Sequence, residues 1–441
     1  MTRFVAFLCV FGLLIVGVMC TERTHFWVLM AFYSGAFGLY YFKLMPFFER
    51  CDVSKLLVLA LLVRLILCGF MPLLSNDYTR FLWDGRLLAQ FQNPYLVLPS
   101  LYIKNHVGNA ELNALFLQLN SPNYHTVYPP VCQYIFGSGT FLFADNVFLN
   151  ILWQRFWLIL GDGLAIFSIY QLGNKNTRFA ALYAFNPLIL IEITGNLHHE
   201  GLMLGGWLFA FCCLKQNHYK PTFWVLMGSA LSLALAVCVK LLPLITLPFL
   251  VRQIGFWRMV FYSCAVFLFS IILFLPFFDV QLAANLMSSI GLYFQKFEFN
   301  ASLYYLVRTL GYWLVGYNPI GIVGKFFLLL SAGFILFFAL RKRPAETLFN
   351  QIFLALMAYF LLATTVHPWY IGSVLAFSIL AKNRLGIVWS LLVFLSYSTY
   401  ETMPYKENLY LVTLEYVVLL FFLVKEYIAH QKNTRIANKN K

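Results

Sequence analysis

Apolar runs of near-spanning length follow one another along almost the whole chain, separated by short polar segments. A membrane-spanning helix needs about 20 apolar residues, so the pattern predicts an all-α polytopic integral membrane protein with about 14 membrane helices, some of them short or broken. The predicted spans lie near 4–20, 27–47, 56–74, 149–171, 179–196, 201–214, 222–239, 240–252, 258–276, 320–340, 347–366, 370–381, 385–399 and 409–427.

Two longer polar segments interrupt this pattern, at 75–146 and 280–318. We interpret the first as a large extracytoplasmic loop that bears membrane-surface helices, and the second as another extracytoplasmic loop. Within the first, 127–144 is apolar, but a spanning helix there would move Lys175 and Arg178 to the outer side. A surface or re-entrant helix fits the charges better.

Basic residues orient the chain, because cytoplasmic loops are enriched in lysine and arginine. The first run lacks a small-residue cleavage site and is interpreted as a retained helix rather than a signal peptide. The prediction is a single transmembrane domain over 1–430, both termini cytoplasmic, and a basic, disordered tail over 431–441 that is drawn to anionic lipid. The basic residues on the predicted inner side include Arg3, Lys175, Arg178, Lys215, Arg252, Arg341, Lys382 and Arg384.

Composition supports the membrane interpretation. Of 441 residues, 61% are hydrophobic and only 11% are charged, whereas soluble domains carry about 25% charged residues. The net charge of +14 is spread over the ends of apolar runs, so it does not indicate a nucleic-acid partner. The nine cysteines form no CxxC motif, which argues against a zinc site or a disulfide framework.

The densest polar cluster, 75–86, follows the third predicted span. Asp77, Arg80 and Asp84 have the i, i+3, i+7 spacing of one helix face. Asn76 is a candidate cap for this helix, and Asp77 then lies in the first turn, where the helix dipole favours a carboxylate. An ionised carboxylate at the membrane edge suits a general base for an alcohol acceptor. A solvated amphipathic helix with internal ion pairs is the alternative.

Further polar clusters also fall at predicted outer ends. Tyrosine and asparagine suit a sugar, although an interfacial aromatic belt explains a single tyrosine equally well. His198 and His199 lack the i, i+4 spacing of a helical metal pair, so no metal site is predicted. Lys240 suits a lipid phosphate, with snorkelling as the alternative. Together with Arg80 and Asp84, the candidate binding residues are Arg86, Asn93, Tyr95, Tyr128, His198, His199, Glu200, Lys240, Glu298, Asn300, Arg308, His367, Trp369 and Tyr370.

Four ionisable residues fall inside predicted spans, and we interpret them as structural pairs or snorkelling groups: Arg64, Arg155, Asp162 and Lys325. A transporter places its ionisable residues near the bilayer midplane. This chain concentrates its polar clusters at the outer mouth instead, which favours chemistry on a lipid headgroup.

At these residues the chain resembles the GT-C superfamily of polyprenyl-phosphate-sugar-dependent membrane glycosyltransferases, above all bacterial polyprenol-phosphate-mannose-dependent mannosyltransferases. The stretches that carry the resemblance are Asn76-Asp77-Tyr78 to Trp83-Asp84-Gly85-Arg86, Asn93-Pro94-Tyr95, Tyr128-Pro129-Pro130, Asn186-Pro187, Gly195-Asn196-Leu197-His198, Lys240-Leu241-Leu242-Pro243, Phe297 to Asn300 and His367-Pro368-Trp369-Tyr370.

The resemblance implies a bacterial inner-membrane enzyme whose site faces the periplasm. Its donor is a hexose, mannose above all, on a polyprenyl phosphate, and its acceptor is a glycan, lipid or protein hydroxyl. By position Asp77 deprotonates the acceptor, and direct attack inverts the anomeric carbon. Asn76 stands where the family often has a second acid, so we expect Asp77 to act alone, without metal or cofactor. The candidate cations for the leaving phosphate are Arg80, Arg86, His199, Lys240 and Arg308.

Two other functions stay open at this point. A lipid-linked sugar flippase or transporter would require essential charges at the bilayer midplane. A glycan ligase that uses a diphosphate-linked donor shares the outward-facing site and differs in its donor.

Overall fold

The computed structural model describes residues 2–106, 108–144, 146–216, 221–341 and 347–439. Over these ranges the chain is helical and contains no strand, apart from an isolated bridge between Phe299 and Thr365. The all-α prediction is therefore confirmed.

Each predicted apolar run contains helical residues, and further helices lie in the two polar segments. The α-helices are α1 Thr2–Met19, α2 Phe26–Leu39, α3 Met45–Phe48, α4 Val53–Leu67, α5 Asp77–Ala89, α6 Pro99–Tyr102, α7 Ala110–Gln118, α8 Pro130–Leu142, α9 Val147–Leu172, α10 Thr177–Ala184, α11 Glu200–Gln216, α12 Phe223–Val237, α13 Leu247–Ile254, α14 Phe256–Phe274, α15 Leu282–Gln295, α16 Leu303–Val315, α17 Ile320–Leu340, α18 Leu348–Leu362, α19 Ile371–Leu380, α20 Leu385–Leu392 and α21 Leu409–Lys439.

Short π-helical and 3₁₀-helical segments adjoin several of these α-helices. Two π-helical segments are Tyr40–Leu44 and Ile189–Gly195. The 3₁₀ segments are Ile103–Asn105, Leu242–Thr246, Leu275–Phe277, Pro368–Tyr370 and Val393–Glu401.

Three of the helical stretches are long and apolar enough to cross a membrane: Phe26–Phe48, Phe256–Phe277 and Ile320–Leu340. Many of the others are shorter. The ten residues of α19, for example, are all buried inside the protein. A short helix of this kind is stable at membrane depth where protein surrounds its ends, as predicted for 370–381.

The predicted span 179–196 is broken in its middle. Helix α10 ends at Ala184, because Pro187 lacks an N–H and disfavours a helical conformation at Asn186. The Asn186 side chain accepts a hydrogen bond from the Leu188 N–H at 3.0 Å and donates one to Ser390 Oγ at 2.9 Å. The chain then continues as the buried π-helical segment Ile189–Gly195. Such segments occur often at functional sites.

The loops contact one another in two sets, one at each end of the helices. At one end, Arg178 forms an ion pair with Glu49, and Lys215 donates to the Leu172 carbonyl at 2.9 Å. These residues all belong to predicted inner loops or their borders. At the other end, Phe299 N–H donates to the Thr364 carbonyl at 3.0 Å. Phe299 belongs to the predicted second outer loop, and Thr364 lies at the outer end of the predicted span 347–366. The polar clusters of the sequence thus meet at a single end.

The first large loop contains α5, α6, α7 and α8. Helix α8 has 13 residues, about 20 Å of helix, and is too short to cross a hydrocarbon core of about 30 Å. It begins beside the end of α12, where Val131 N–H donates to the Cys238 carbonyl at 3.0 Å. Gly85 lets α5 approach α8 closely, because a Cβ at that position would overlap the Phe136 carbonyl. The second loop, 280–318, contains α15 and α16, which the sequence pattern did not separate.

Two buried arginines connect the central helices. Arg64 Nε lies 2.6 Å from Asp162 Oδ2, and Tyr183 donates to Asp162 Oδ1 at 2.8 Å. Arg155 does not pair with Asp162. It donates instead to the carbonyls of Cys68, Thr194 and Gly195, at 2.9, 2.9 and 2.8 Å. The structural interpretation of these residues is confirmed.

Helices α9 and α11 cross with their backbones in contact. A Cβ at Gly205 would overlap the Gly161 carbonyl, so only glycine fits at this crossing. Small residues commonly permit such close packing in membranes, where apolar burial alone cannot hold helices together.

The prediction of a disordered tail is wrong up to Lys439. Helix α21 continues through 431–439 without a break, because no proline or glycine interrupts the segment. Residues 440 and 441, the end of that predicted tail, lie outside the described residues.

We expect Asp162→Asn to destabilise the protein by about 3–5 kcal/mol, since it leaves Arg64 buried without its counter-charge. Thermal or denaturant unfolding in detergent measures this loss. The matched control is Glu49→Gln, which removes an exposed pair with Arg178 and should cost about 0–1 kcal/mol. Equal effects of the two variants would contradict the structural role of the Arg64–Asp162 pair.

Candidate active site

Asp77 is the first residue of α5 and is partly accessible, with 23% of its side chain exposed. Its backbone N–H donates to Ser75 Oγ at 3.2 Å. Asn76 occupies the predicted cap position, but its side chain makes no capping hydrogen bond, and the Ser75 hydroxyl accepts from the first helical N–H instead. Asn120 donates to Asp77 Oδ1 at 2.8 Å, which leaves Oδ2 as the free carboxylate oxygen.

The Oδ2 atom faces a histidine. His198 Nε2 lies 4.0 Å from it, and the His198 side chain is only 3% exposed. The other ring nitrogen, Nδ1, lies 3.0 Å from the Glu192 backbone carbonyl and 3.2 Å from the Glu192 carboxylate. Two carboxylates therefore flank a single imidazole.

Glu192 is held in the π-helical segment and is buried, at 1% exposure. Tyr397 donates a hydrogen bond to its Oε1 at 2.7 Å. Glu192 is not among the predicted site residues, because it lies within 179–196, a segment whose apolar pattern predicts a single span. The feature of the sequence that could have identified Glu192 is its carboxylate, because an ionisable residue within an apolar run indicates a functional position.

A stack of four rings brings distant segments to this point. His198 stacks on Trp369 with ring centroids 3.6 Å apart, and Trp369 stacks on His367 at 4.4 Å. His367 in turn stacks on Phe299 at 4.7 Å. The structure thus connects Phe299, His367 and Trp369 to the histidine that faces Asp77.

Lys240 lies at the far side of the same aromatic group. Its Nζ forms an ion pair with the buried carboxylate of Glu200 and lies 4.2 Å from the centroid of the Tyr370 ring. About a third of the Lys240 side chain, 37%, is exposed. Tyr370 packs edge-on against Trp369 with ring centroids 5.9 Å apart, so two aromatic rings connect the Lys240 cation to His198.

His199 points away from this group and packs edge-on against Phe81 and Phe136, with centroids 5.0 and 5.3 Å away. Burial, with smaller contributions from the nearby charges of His198 and Lys240, lowers the pKa of His199 to about 3. The ring is therefore neutral at physiological pH and supplies no positive charge to a phosphate.

Arg80 and Asp84 form a buried pair rather than an open binding surface. Arg80 Nε donates to Asp84 Oδ1 at 2.8 Å, and Asp84 Oδ2 accepts hydrogen bonds from Thr126 at 2.5 Å and Gln133 at 3.0 Å. Arg80 also donates to the Tyr124 carbonyl at 3.0 Å. These contacts fasten the first loop onto α5, in agreement with the internal ion pairs considered as an alternative for this helix.

Four other predicted residues also fasten the first loop and lie apart from Asp77. Arg86 forms an ion pair with Glu111, and Asn93 donates to the Phe277 carbonyl at 2.8 Å. The buried Tyr95 donates to the Tyr128 carbonyl at 2.8 Å.

The second loop forms a separate polar group. Glu298 pairs with Arg308 at 3.0 Å. Asn300 is buried, with φ of 48°, and its backbone N–H donates to Glu407 while its amide donates to Glu415 at 3.2 Å. Glu407 and Glu415 were not singled out from the sequence, because each lies far along the chain from Asn300.

Metal binding has no support within the described ranges, where no group of three or more histidine, cysteine, aspartate or glutamate side chains is arranged to hold an ion. Independence of metal stays a prediction.

Fold and site together describe a helical membrane protein with a partly open carboxylate–imidazole–carboxylate group at one end. The chain belongs to the family described as alpha-(1->6)-mannopyranosyltransferase, N-terminal domain, whose model matches residues 7–255. That range includes Asp77, Glu192, His198 and Lys240, whereas the ring stack is completed by residues beyond it.

Individual relatives agree with the family. The chain is 29% identical over 200 residues to alpha-(1->6)-mannopyranosyltransferase A of Corynebacterium glutamicum, covering 44% of this chain and 37% of that protein. It is 27% identical over 187 residues to the protein of the same name from Mycobacterium tuberculosis, covering 41% and 33%. The matches thus span about a third of the relatives' length. No solved structure matches the chain.

We expect Glu407 to make stability depend on pH. Burial raises the pKa of Glu407 from 4.5 to about 7, against the opposing hydrogen bond from the Asn300 N–H. A raised carboxyl pKa favours the folded state at low pH, and this contribution is lost as pH rises through about 7. The melting temperature should therefore fall more between pH 5 and 8 in the wild type than in Glu407→Gln. Parallel curves would contradict this assignment.

Proposed function

We propose that the protein is an integral membrane mannosyltransferase that transfers mannose from a polyprenyl-phosphate donor to an acceptor hydroxyl, with inversion. The observation that carries the proposal is the partly exposed Asp77 carboxylate, which lies opposite His198 within the range matched by the family. The names of the relatives support mannose as the sugar and an alpha-(1->6) product. Inversion gives an α product only from a β-linked donor, so we infer a β-mannosyl phosphate.

In the proposed reaction Asp77 accepts the proton of the acceptor hydroxyl. The acceptor oxygen forms a bond to the anomeric carbon while the bond from that carbon to the phosphate oxygen breaks, and the electron pair leaves with the lipid phosphate. Negative charge grows on the departing phosphate, so a fixed cation lowers the barrier. Lys240 is the best candidate, because it contacts the Tyr370 ring beside the stack that reaches His198, although it also pairs with Glu200. Arg80, Arg86 and Arg308 pair with carboxylates elsewhere, and His199 is neutral.

The proposed topology places this site on the periplasmic face of a bacterial inner membrane. About 14 crossings with both termini in the cytoplasm are consistent with the two sets of loops and with the basic residues at the inner set. The acceptor is a glycan, lipid or protein hydroxyl, and the name of the relatives favours a primary hydroxyl of a sugar.

We expect Asp77→Asn to abolish mannose transfer, because the amide cannot accept the proton, while the melting temperature stays close to wild type. Transfer of radiolabelled mannose from synthetic β-polyprenyl-phosphate mannose by the purified protein measures the loss. A chelator is added in a parallel reaction and should leave wild-type transfer unchanged.

The control variant for Asp77 is Glu111→Gln, an exposed carboxylate of the same loop, which should keep wild-type turnover. Near-normal transfer by Asp77→Asn would remove Asp77 from the mechanism. Donor binding without any transfer by the wild type would favour a flippase instead.

Lys240→Gln should raise the donor KM about tenfold, since one charge-assisted contact to phosphate is worth about 1.5–3 kcal/mol. The comparison is Lys104→Gln, an exposed lysine of the first loop, which should leave the donor KM unchanged. An unaltered KM in Lys240→Gln would show that this lysine serves only Glu200 and Tyr370.

A further inference from the structure

His198 connects the accessible carboxylate, Asp77, to a fully buried one, Glu192. Its Nδ1 lies within hydrogen-bond distance of two acceptors, the backbone carbonyl and the carboxylate of Glu192. Because both partners only accept, Nδ1 must carry the proton. In the neutral ring Nε2 is then the basic nitrogen, and it is the atom that faces Asp77.

The Nε2 atom is available for a proton. It is buried and has no hydrogen-bond partner among the described residues. Its distance of 4.0 Å from Asp77 Oδ2 exceeds a hydrogen bond by about 1 Å. Catalytic hydrogen bonds are often long before substrate binds and shorten in the complex. Because stacking on Trp369 holds the imidazole, closing this gap requires a movement of the Asp77 side chain.

Glu192 is suited to stabilise a charged imidazole. Its carboxylate is 1% exposed, and in this poorly solvated environment an opposite charge 3.2 Å away interacts strongly. Tyr397 holds the other oxygen at 2.7 Å, so the carboxylate is oriented before the reaction. The arrangement of a buried carboxylate behind a histidine has the same physical logic as the acid that orients a catalytic histidine in hydrolases.

We propose that His198 and Glu192 are positioning residues for Asp77, and that His198 Nε2 receives the proton that Asp77 takes from the acceptor. This inference rests on the proposed function. The acceptor proton moves to Asp77 as the new glycosidic bond forms and the bond to phosphate breaks. It then passes to Nε2, and the imidazolium lies between the carboxylates of Asp77 and Glu192. When the products leave, Nε2 loses the proton to water and the imidazole is again neutral.

The first test measures steady-state mannose transfer by the purified protein carrying His198→Gln. We expect kcat to fall about 100-fold, the lower range for loss of a positioned proton acceptor, with the donor KM within about twofold of wild type. Glu192→Gln should lower kcat about tenfold. His106→Gln is the matched control, because His106 also stacks on an aromatic ring, Tyr102 at 4.0 Å, but lies outside the site.

Chemical rescue separates a proton acceptor from a packing role. Added imidazole should restore at least about a tenth of the lost turnover to His198→Ala, since it supplies the missing base. A structural defect would not respond to imidazole. Absence of rescue, together with a kcat of His198→Gln within twofold of wild type, would overturn the inference while an inactive Asp77→Asn leaves the proposed function intact.

A second measurement does not depend on the substrate. In ¹⁵N-histidine spectra of the protein, the ring signals absent from His198→Gln identify His198. We expect the signals of the neutral ring to show a protonated Nδ1, which lies 3.0 Å from the Glu192 carbonyl, and an unprotonated Nε2, which faces Asp77. The opposite tautomer would overturn the inference, even if mannose is the wrong sugar.

Discussion

Polar groups that a broken helix exposes inside a membrane protein must find partners within the protein, and here Arg155 provides them. Its guanidinium binds the carbonyls of Thr194 and Gly195, which end the π-helical segment, and the Cys68 carbonyl at the end of α4. Leaving such carbonyls unpaired in an apolar interior costs several kcal/mol. One side chain therefore fixes the segment that carries Glu192 and His198 relative to the helix that leads to Asp77.

Asn196 adds a second connection between the same two segments. Its side-chain oxygen accepts a hydrogen bond from the Leu74 N–H at 3.2 Å, and its amide donates to the Ile191 carbonyl at 3.0 Å. Positioning of this kind matters because a general base must lie within hydrogen-bond distance of the proton it takes. The site is thus built on helix ends held by buried polar contacts, with the first loop fastened over α5 by Asp84.

Among the predicted site residues, those brought to Asp77 lie at the ends of helices that meet at one end of the protein. His198, Trp369, Tyr370 and Lys240 were predicted because polar residues at the mouth of apolar helices are rare and costly. Arg80 and Asp84 satisfied the same criterion, yet they hold the loop together. Helical spacing puts side chains on one face but does not say whether that face meets solvent or another helix.

The amino-acid sequence by itself determined the all-helical membrane architecture, because the length of an apolar run and the position of proline and charge act locally. It also determined that Asp77 begins a helix. Only the tertiary structure decided which distant groups meet: Glu192 behind His198, Glu407 against Asn300, and the stack from Phe299 to His198. Those contacts join residues separated by up to about 170 positions, and pairing at that distance depends on how the helices pack rather than on any local pattern.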